Sequence, residues 1–185
     1  MTFVALKNTT GIGLSILAVL ILVFGTIGYT AEGQVENLPT PNVDGFVFFS
    51  DEAIPGNPVP LLVGAKTTIT WDRDDIFVVI ADEGKKSQCD GIRSNGGAGL
   101  ISSSDSQTCQ FGDTGYESTG ADGSEGMEWK VMSGEYFAGV GTKSGAIPEG
   151  TELNIDYEVH FSAGPATYLF TFLLGIGGIG LSRMK

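Results

Sequence analysis

Two long runs without a charged residue, one near each end, constrain this chain more than any other feature. The first is Gly11 to Ala31 and the second Ala163 to Ser182. At about 1.5 Å per residue, a helix of roughly twenty residues spans the ~30 Å hydrocarbon core of a bilayer. Each run is therefore predicted to be a transmembrane helix, with residues 11–31 acting as a signal anchor and residues 163–182 as a second span. Residues 32–162 are then held to a membrane at both ends, and the short ends 1–10 and 183–185 lie on the other side.

The charges agree with that arrangement. Lys7 precedes the first run, Arg183 and Lys185 follow the second, and neither flank contains an acid. Short flanks carrying Lys or Arg stay inside, so both termini are expected in the cytoplasm and residues 32–162 in the extracellular or periplasmic space. A cleaved signal peptide is the competing reading of the first run. Signal peptides carry a shorter apolar core, about 7–15 residues, and end at a small-x-small site. A cut after Ala31 would set the bulky Tyr29 where a small residue is required, so the uncleaved anchor is preferred.

The 131 residues between the helices suffice for one domain with its own core. They hold all 22 acidic residues and only seven of the ten basic ones, a balance of −15 within a chain of net charge −12. Such a segment repels nucleic acid and anionic lipid headgroups, which disfavours a nucleic-acid role, and no nucleic-acid partner is expected. Cys89 and Cys109 both fall in it, and in an oxidising compartment an isolated pair is most simply a disulfide. By loop-closure arguments it contributes about 3 kcal/mol. The lone histidine, His160, lies fifty residues away, too sparse a set for zinc.

Short apolar and β-branched runs follow one another with turn residues between them: Gly45–Phe49, Val59–Val63, Lys66–Trp71, Ile76–Ala81, Met127–Met132, Tyr136–Val140 and Leu153–Phe161. Seven such runs without a long amphipathic helical pattern predict a mainly β fold, an antiparallel β-sandwich flanked by the two transmembrane helices. Leu153, Ile155, Tyr157, Val159 and Phe161 alternate with polar neighbours and are assigned to the core face. Thr67, Ile69 and Trp71 alternate in the same way. Ile76–Ala81 is apolar on both faces and should be a central strand whose second face is covered by a loop or a partner. Glu32–Pro41 reads as a linker. Residues 83–126 contain ten glycines in forty-four positions, with Ser and Asp between them, and read as a long loop with at most a hairpin, stapled by the disulfide.

Little chemistry is encoded by spacing. Asp72 to Glu83 has the twelve-residue span of a calcium loop, but Ile76 and Phe77 occupy positions that need an oxygen ligand and a glycine. A looser calcium site using Asp105, Asp113 or Asp122 is the remaining metal reading, and calcium-dependent thermal stability would reveal it. No G-x-S-x-G elbow or phosphate-binding glycine motif occurs, and His160 is expected as a solvated strand residue. No catalytic residue and no cofactor are predicted. The membrane runs carry a sharper pattern: Thr171, Gly175, Gly178 and Ser182 fall on one helical face, as do Gly11, Ser15, Ala18 and Gly25. Small residues on one stripe allow helix backbones to approach in lipid, which predicts an intramolecular two-helix hairpin.

The segment from Gly126 to Phe161, with Trp129, Val131, Gly134 and Tyr136 followed by an alternating strand and a membrane helix, resembles the end of a GOLD domain of the p24 type. The resemblance implies a disulfide-bonded β-sandwich next to a membrane anchor. The p24 pattern places a cysteine soon after its Gly-x-Tyr, where this chain has Gly139 and Val140, so the cargo-receptor role is not carried over. The end of the chain, with Pro165, an apolar helix and terminal basic residues, is also similar to sorting tails that some prokaryotic surface proteins lose on processing. The resulting expectation is a non-catalytic binding or interaction module with the bilayer and a protein as partners. A structural accessory subunit of a larger membrane or envelope complex is the alternative, with an envelope hydrolase assembled from loop acids behind both.

Overall fold

The computed structural model describes residues 2–41, 43, 45–94, 108–143 and 152–183. Their contacts divide the chain into two compact units. One comprises Met1–Thr30, Val59–Ala65 and His160–Lys185, and the other Ala31–Pro58 and Lys66–Val159.

The first unit is built on helices α1 (Thr2–Ile27) and α3 (Pro165–Arg183). Both are apolar on nearly all sides, and neither has a proline beyond its first position, so each can run unbroken. They pack on each other antiparallel, with Gly11 against Gly178 and Ser182 at one end, and the Tyr168 hydroxyl donating to the Gly25 carbonyl at 3.4 Å at the other. α1 stops at Gly28, whose left-handed backbone (φ +71°) lets its N–H donate to the Phe24 carbonyl at 2.9 Å. α3 starts at Pro165, which has no N–H to lose. The next amide, Ala166, donates to the Leu61 carbonyl at 2.9 Å, while Gly164 N–H and the Thr167 hydroxyl both donate to the Leu62 carbonyl at 2.7 Å.

The second unit contains most of two antiparallel sheets. One has the strand order β1 (Tyr29–Pro39), β9 (Glu152–Ala163), β4 (Val63–Trp71), β7 (Met127–Lys130). The other runs β2 (Val47–Phe49), β8 (Glu135–Thr142), β5 (Ile76–Asp82), β6 (Ser118–Gly120), with β3 (Ile54–Pro55) also paired to β8. β5 and β8 are in register from Ile76 opposite Thr142 to Asp82 opposite Tyr136. All six residues of Ile76–Ala81 are buried, as a strand apolar on both faces requires. Phe77, Val79 and Ala81 form one core with Phe46, Phe49 and Phe137. Gly139 and Gly141 of β8 leave room for these rings: a Cβ at Gly139 would lie 2.8 Å from Phe49, and one at Gly141 would strike Phe77. Between the sheets, the Trp129 and Tyr136 rings meet edge to face at 4.9 Å, and the Trp71 indole lies over Gly120.

Several local expectations are corrected. Glu32–Pro41 is no linker, because Tyr29–Pro39 forms the edge strand β1, whose Gly33 lies beneath the Tyr157 ring. That stacking holds Tyr157 half exposed on β9, and Phe161 is also exposed, so the alternation buries only Leu153 and Ile155 fully. Val59–Val63 is a turn in which Leu62 and Val63 amides both donate to the Val59 carbonyl, and β4 begins only at Val63. Within the supposed loop 83–126, Glu83–Ser94 is a helix, α2, and Ser118–Gly120 is strand β6. Asp82 starts α2 by accepting the Lys85 amide at 2.8 Å, and Lys86 pairs with Asp90 one turn on. Gly84 and Gly91 obscure this helix in the sequence, since glycine lowers helical propensity by about 1 kcal/mol each.

Candidate functional site

The covered face of the β5–β8 sheet joins a disulfide to a buried ion pair. Cys89, on α2, is bonded to Cys109 with Cα atoms 5.7 Å apart, and both are buried against Phe77, Val79 and Phe137. Helix and cystine together cover the second face of Ile76–Ala81, the part expected of a loop or a partner. Cys109 adopts a left-handed backbone (φ +71°), an uncommon state for a non-glycine residue. Its amide donates to Asp113 Oδ2 at 2.6 Å, its carbonyl accepts the Val47 amide, and Phe46 bridges Gln110.

Asp113 Oδ2 also accepts Lys85 Nζ at 2.5 Å, in a pair whose side chains are only 8% and 15% exposed. Lys85 Nζ lies 5.2 Å from the Tyr116 ring centre as well. Burial by itself would raise the Asp113 pKa. The hydrogen bonds from Lys85 and the Cys109 amide, with the Lys85 charge, outweigh it and hold the carboxyl below its ordinary value. The Tyr116 phenol is pushed well up, chiefly by burial and then by the Asp113 charge. Asp113 is thus a structural anion that fixes the cystine segment on α2. Replacing both cysteines by serine is expected to lower the unfolding free energy by about 3 kcal/mol, read from denaturant midpoints of the full chain; equal midpoints for variant and native chain would refute it.

An open hollow lies beside this region, lined by Asp82, Glu83 and Gly84 at the β5–α2 junction, by Glu117, and by Ser133 to Tyr136 at the start of β8. The Tyr136 hydroxyl donates to the Ser133 carbonyl at 3.2 Å. Its pKa is raised by burial first and then by the Glu117 and Asp82 carboxylates, so it stays a neutral donor. The hollow is acidic and shallow, suited to cationic groups rather than to an enclosed substrate.

The remaining candidates predicted from the sequence are separated by the fold. Of the calcium candidates, Asp105 lies outside the described residues, Asp113 is engaged by Lys85, and Asp122 Oδ1 accepts the Ser124 amide, the Ser124 hydroxyl and the Glu125 amide within its own turn. Among the described residues no three His, Cys, Asp or Glu side chains are grouped to hold a metal. Asp72 binds Asn154, and Arg73 makes a two-pronged pair with Asp75 that holds the Asp75 carboxyl below its usual range. His160 is half-buried rather than solvated, with Nδ1 3.1 Å from the Thr30 hydroxyl and its ring over Gly28.

The membrane-helix stripe is brought together. A Cβ at Gly11 would lie 2.6 Å from the Gly178 carbonyl oxygen, one at Gly178 would lie 2.6 Å from Ser15 Oγ, and Gly175 faces Ala18. Thr171 and Ala18 are buried in the seam. The Ser15, Thr171 and Ser182 hydroxyls donate to carbonyls of their own helices, so each has an internal partner that does not depend on water. Thr9–Ile27 and Pro165–Arg183 are each long and apolar enough to cross a membrane. These two helices point to membrane anchoring, and the closed disulfide points to a non-cytoplasmic domain. No protein-family model, curated protein or solved structure matches the chain.

Proposed function

We propose that this chain is a non-catalytic, membrane-anchored interaction module whose residues 32–162 are displayed outside the cytoplasm to bind another protein. One observation carries the reading: α1 and α3 pair antiparallel, Gly11 against Gly178 and Gly25 against Tyr168, so both termini leave the helix pair at the same end. Lys7, Arg183 and Lys185 favour the cytoplasm for that end, and the disulfide favours an oxidising compartment for the rest. The two antiparallel sheets are read as a β-sandwich, supported by the Trp129–Tyr136 contact. The GOLD-like likeness stands as a proposal about fold only and rests on Trp129, Val131, Gly134 and Tyr136.

The contact surface is assigned to the region between Glu83 and Gly126 and the exposed sheet face, with the acidic hollow at its edge. A surplus of acid favours a partner with a basic face. Crosslinking the full chain in native membranes is expected to yield a discrete protein adduct that fades when Glu117 and Glu135 are both changed to Lys. A chain that gives no adduct and purifies alone would overturn the reading. An accessory-subunit role is the second reading, favoured by a groove along the helix pair lined by Ile12, Ser15, Ile16, Val19, Leu20 and Ser182. In that case the adduct should survive the two Lys changes and be lost on Ile16→Trp.

A further inference from the structure

We infer that the turn Val59–Val63 inserts into the extracytoplasmic head-group boundary of the bilayer, as a third point of membrane contact beside the two helices. The inference rests on the membrane-anchored reading, and the experiment below separates the two. The turn and the start of α3 belong to one compact unit. The Leu61 carbonyl accepts the Ala166 amide, and the Leu62 carbonyl accepts the Gly164 amide and the Thr167 hydroxyl, at 2.7–2.9 Å. Gly164 permits the approach, since a Cβ there would lie 2.6 Å from the Leu61 carbonyl carbon.

These bonds fix the turn at the depth of the first turn of α3. The part of α3 long and apolar enough to cross a membrane is nineteen residues, Pro165–Arg183. At about 1.5 Å per residue that is only about the hydrocarbon thickness, so its first turn cannot sink far from the boundary. At this depth Leu61 and Leu62 project their side chains outward, 67% and 52% exposed. Exposing two adjacent leucines to water in an otherwise strongly acidic segment is unfavourable, whereas side chains of this kind bury about 5–10 Å into the head-group boundary.

The local chemistry fits lipid rather than water. No charged residue occurs between Glu52 and Lys66, the longest such stretch between the two membrane helices. Pro58 and Pro60 have no amide to desolvate, and the Leu62 and Val63 amides already donate to the Val59 carbonyl. Amides bonded within the turn in this way lower the cost of entry into a water-poor layer. Tyr29 and Phe161, in the same unit and flanking Gly28 at the end of α1, are exposed aromatic side chains of the kind that line membrane boundaries.

The test uses the full chain, reconstituted in phosphatidylcholine vesicles and labelled with a polarity-sensitive fluorophore at Leu61→Cys. Both native cysteines are bonded to each other, so the added thiol is the one labelled. A second sample carries the label at Phe170→Cys, on the exposed surface of α3. The expected result is that lipids spin-labelled near the head group quench the Leu61 label about twofold or more over lipids labelled at the chain end, with little quenching by aqueous iodide. A Phe170 label quenched by lipid beside a Leu61 label quenched only by iodide would overturn the inference and leave the anchor intact. Failure of lipid to quench either label would overturn both. A Leu61 label shielded from lipid and iodide alike, with fluorophore self-quenching that rises with protein density, would replace the bilayer with a second copy of the chain.

Discussion

Changing Asp113 to Ala is expected to destabilise the chain by about 4 kcal/mol, because it breaks a buried ion pair and leaves one charge behind. Among the described residues, Lys85 Nζ would keep only Gln88 Oε1 at 3.4 Å and the Tyr116 ring, and the buried Cys109 amide would lose its acceptor. The pair Asp113→Leu with Lys85→Met should recover much of the loss, since it removes both charges together. Denaturant midpoints of the three variants measure this; a loss below about 1 kcal/mol for Asp113→Ala would show that the pair is not what holds the cystine segment. The same carboxylate sets a pH dependence. Its folded pKa is depressed below the ordinary 3.8, so its contribution is complete above that value and is lost as the pH falls through the folded pKa. Stability of the native chain should therefore fall more steeply below about pH 4 than that of Asp113→Asn.

Changing Gly178 to Leu should force α1 and α3 apart. The new Cβ would lie 2.6 Å from Ser15 Oγ and 2.8 Å from the Gly11 carbonyl oxygen, and backbone cannot rotate aside as a side chain can. Helix propensity works in the opposite direction, since leucine is favoured over glycine by roughly 1 kcal/mol, so loss of pairing would report packing and not helix content. Gly177 provides the control, because a Cβ there meets nothing within 4 Å. With fluorophores at residues 10 and 183, energy transfer should drop for Gly178→Leu and hold for Gly177→Leu, while circular dichroism stays helical in both. Equal transfer in the two variants would refute the tight seam.

The antiparallel helix pair was legible because its two ingredients are local: a charge-free run long enough for a bilayer, and small residues returning every three or four positions. The strand Ile76–Ala81 was legible for the same reason, since six apolar residues in a row can only be buried on both faces. Where the pattern weakened, so did the reading. Tyr29–Pro39 became a strand through pairing along β9, although Glu32, Gly33, Glu36 and Pro39 give it little strand character of its own. Leu61 and Leu62 fall in a strand-like run of the sequence, and only their carbonyls bonded to Gly164, Ala166 and Thr167 reveal that they belong with α3.

The sequence by itself determined the two apolar helices, the β character between them and the pairing of two cysteines, because each follows from composition and periodicity within about twenty residues. What covers the central strand was decided only by the tertiary structure. α2 carries Lys85, Lys86 and two glycines and has no strong apolar face. It is held in place by Asp113, twenty-eight residues beyond Lys85, and by the bond from Cys89 to Cys109. An ion pair becomes strong when the fold removes water from it, and that exclusion depends on residues far apart in the chain. The same holds for the turn at Leu61, whose place beside the start of α3 is fixed by an amide more than a hundred residues later.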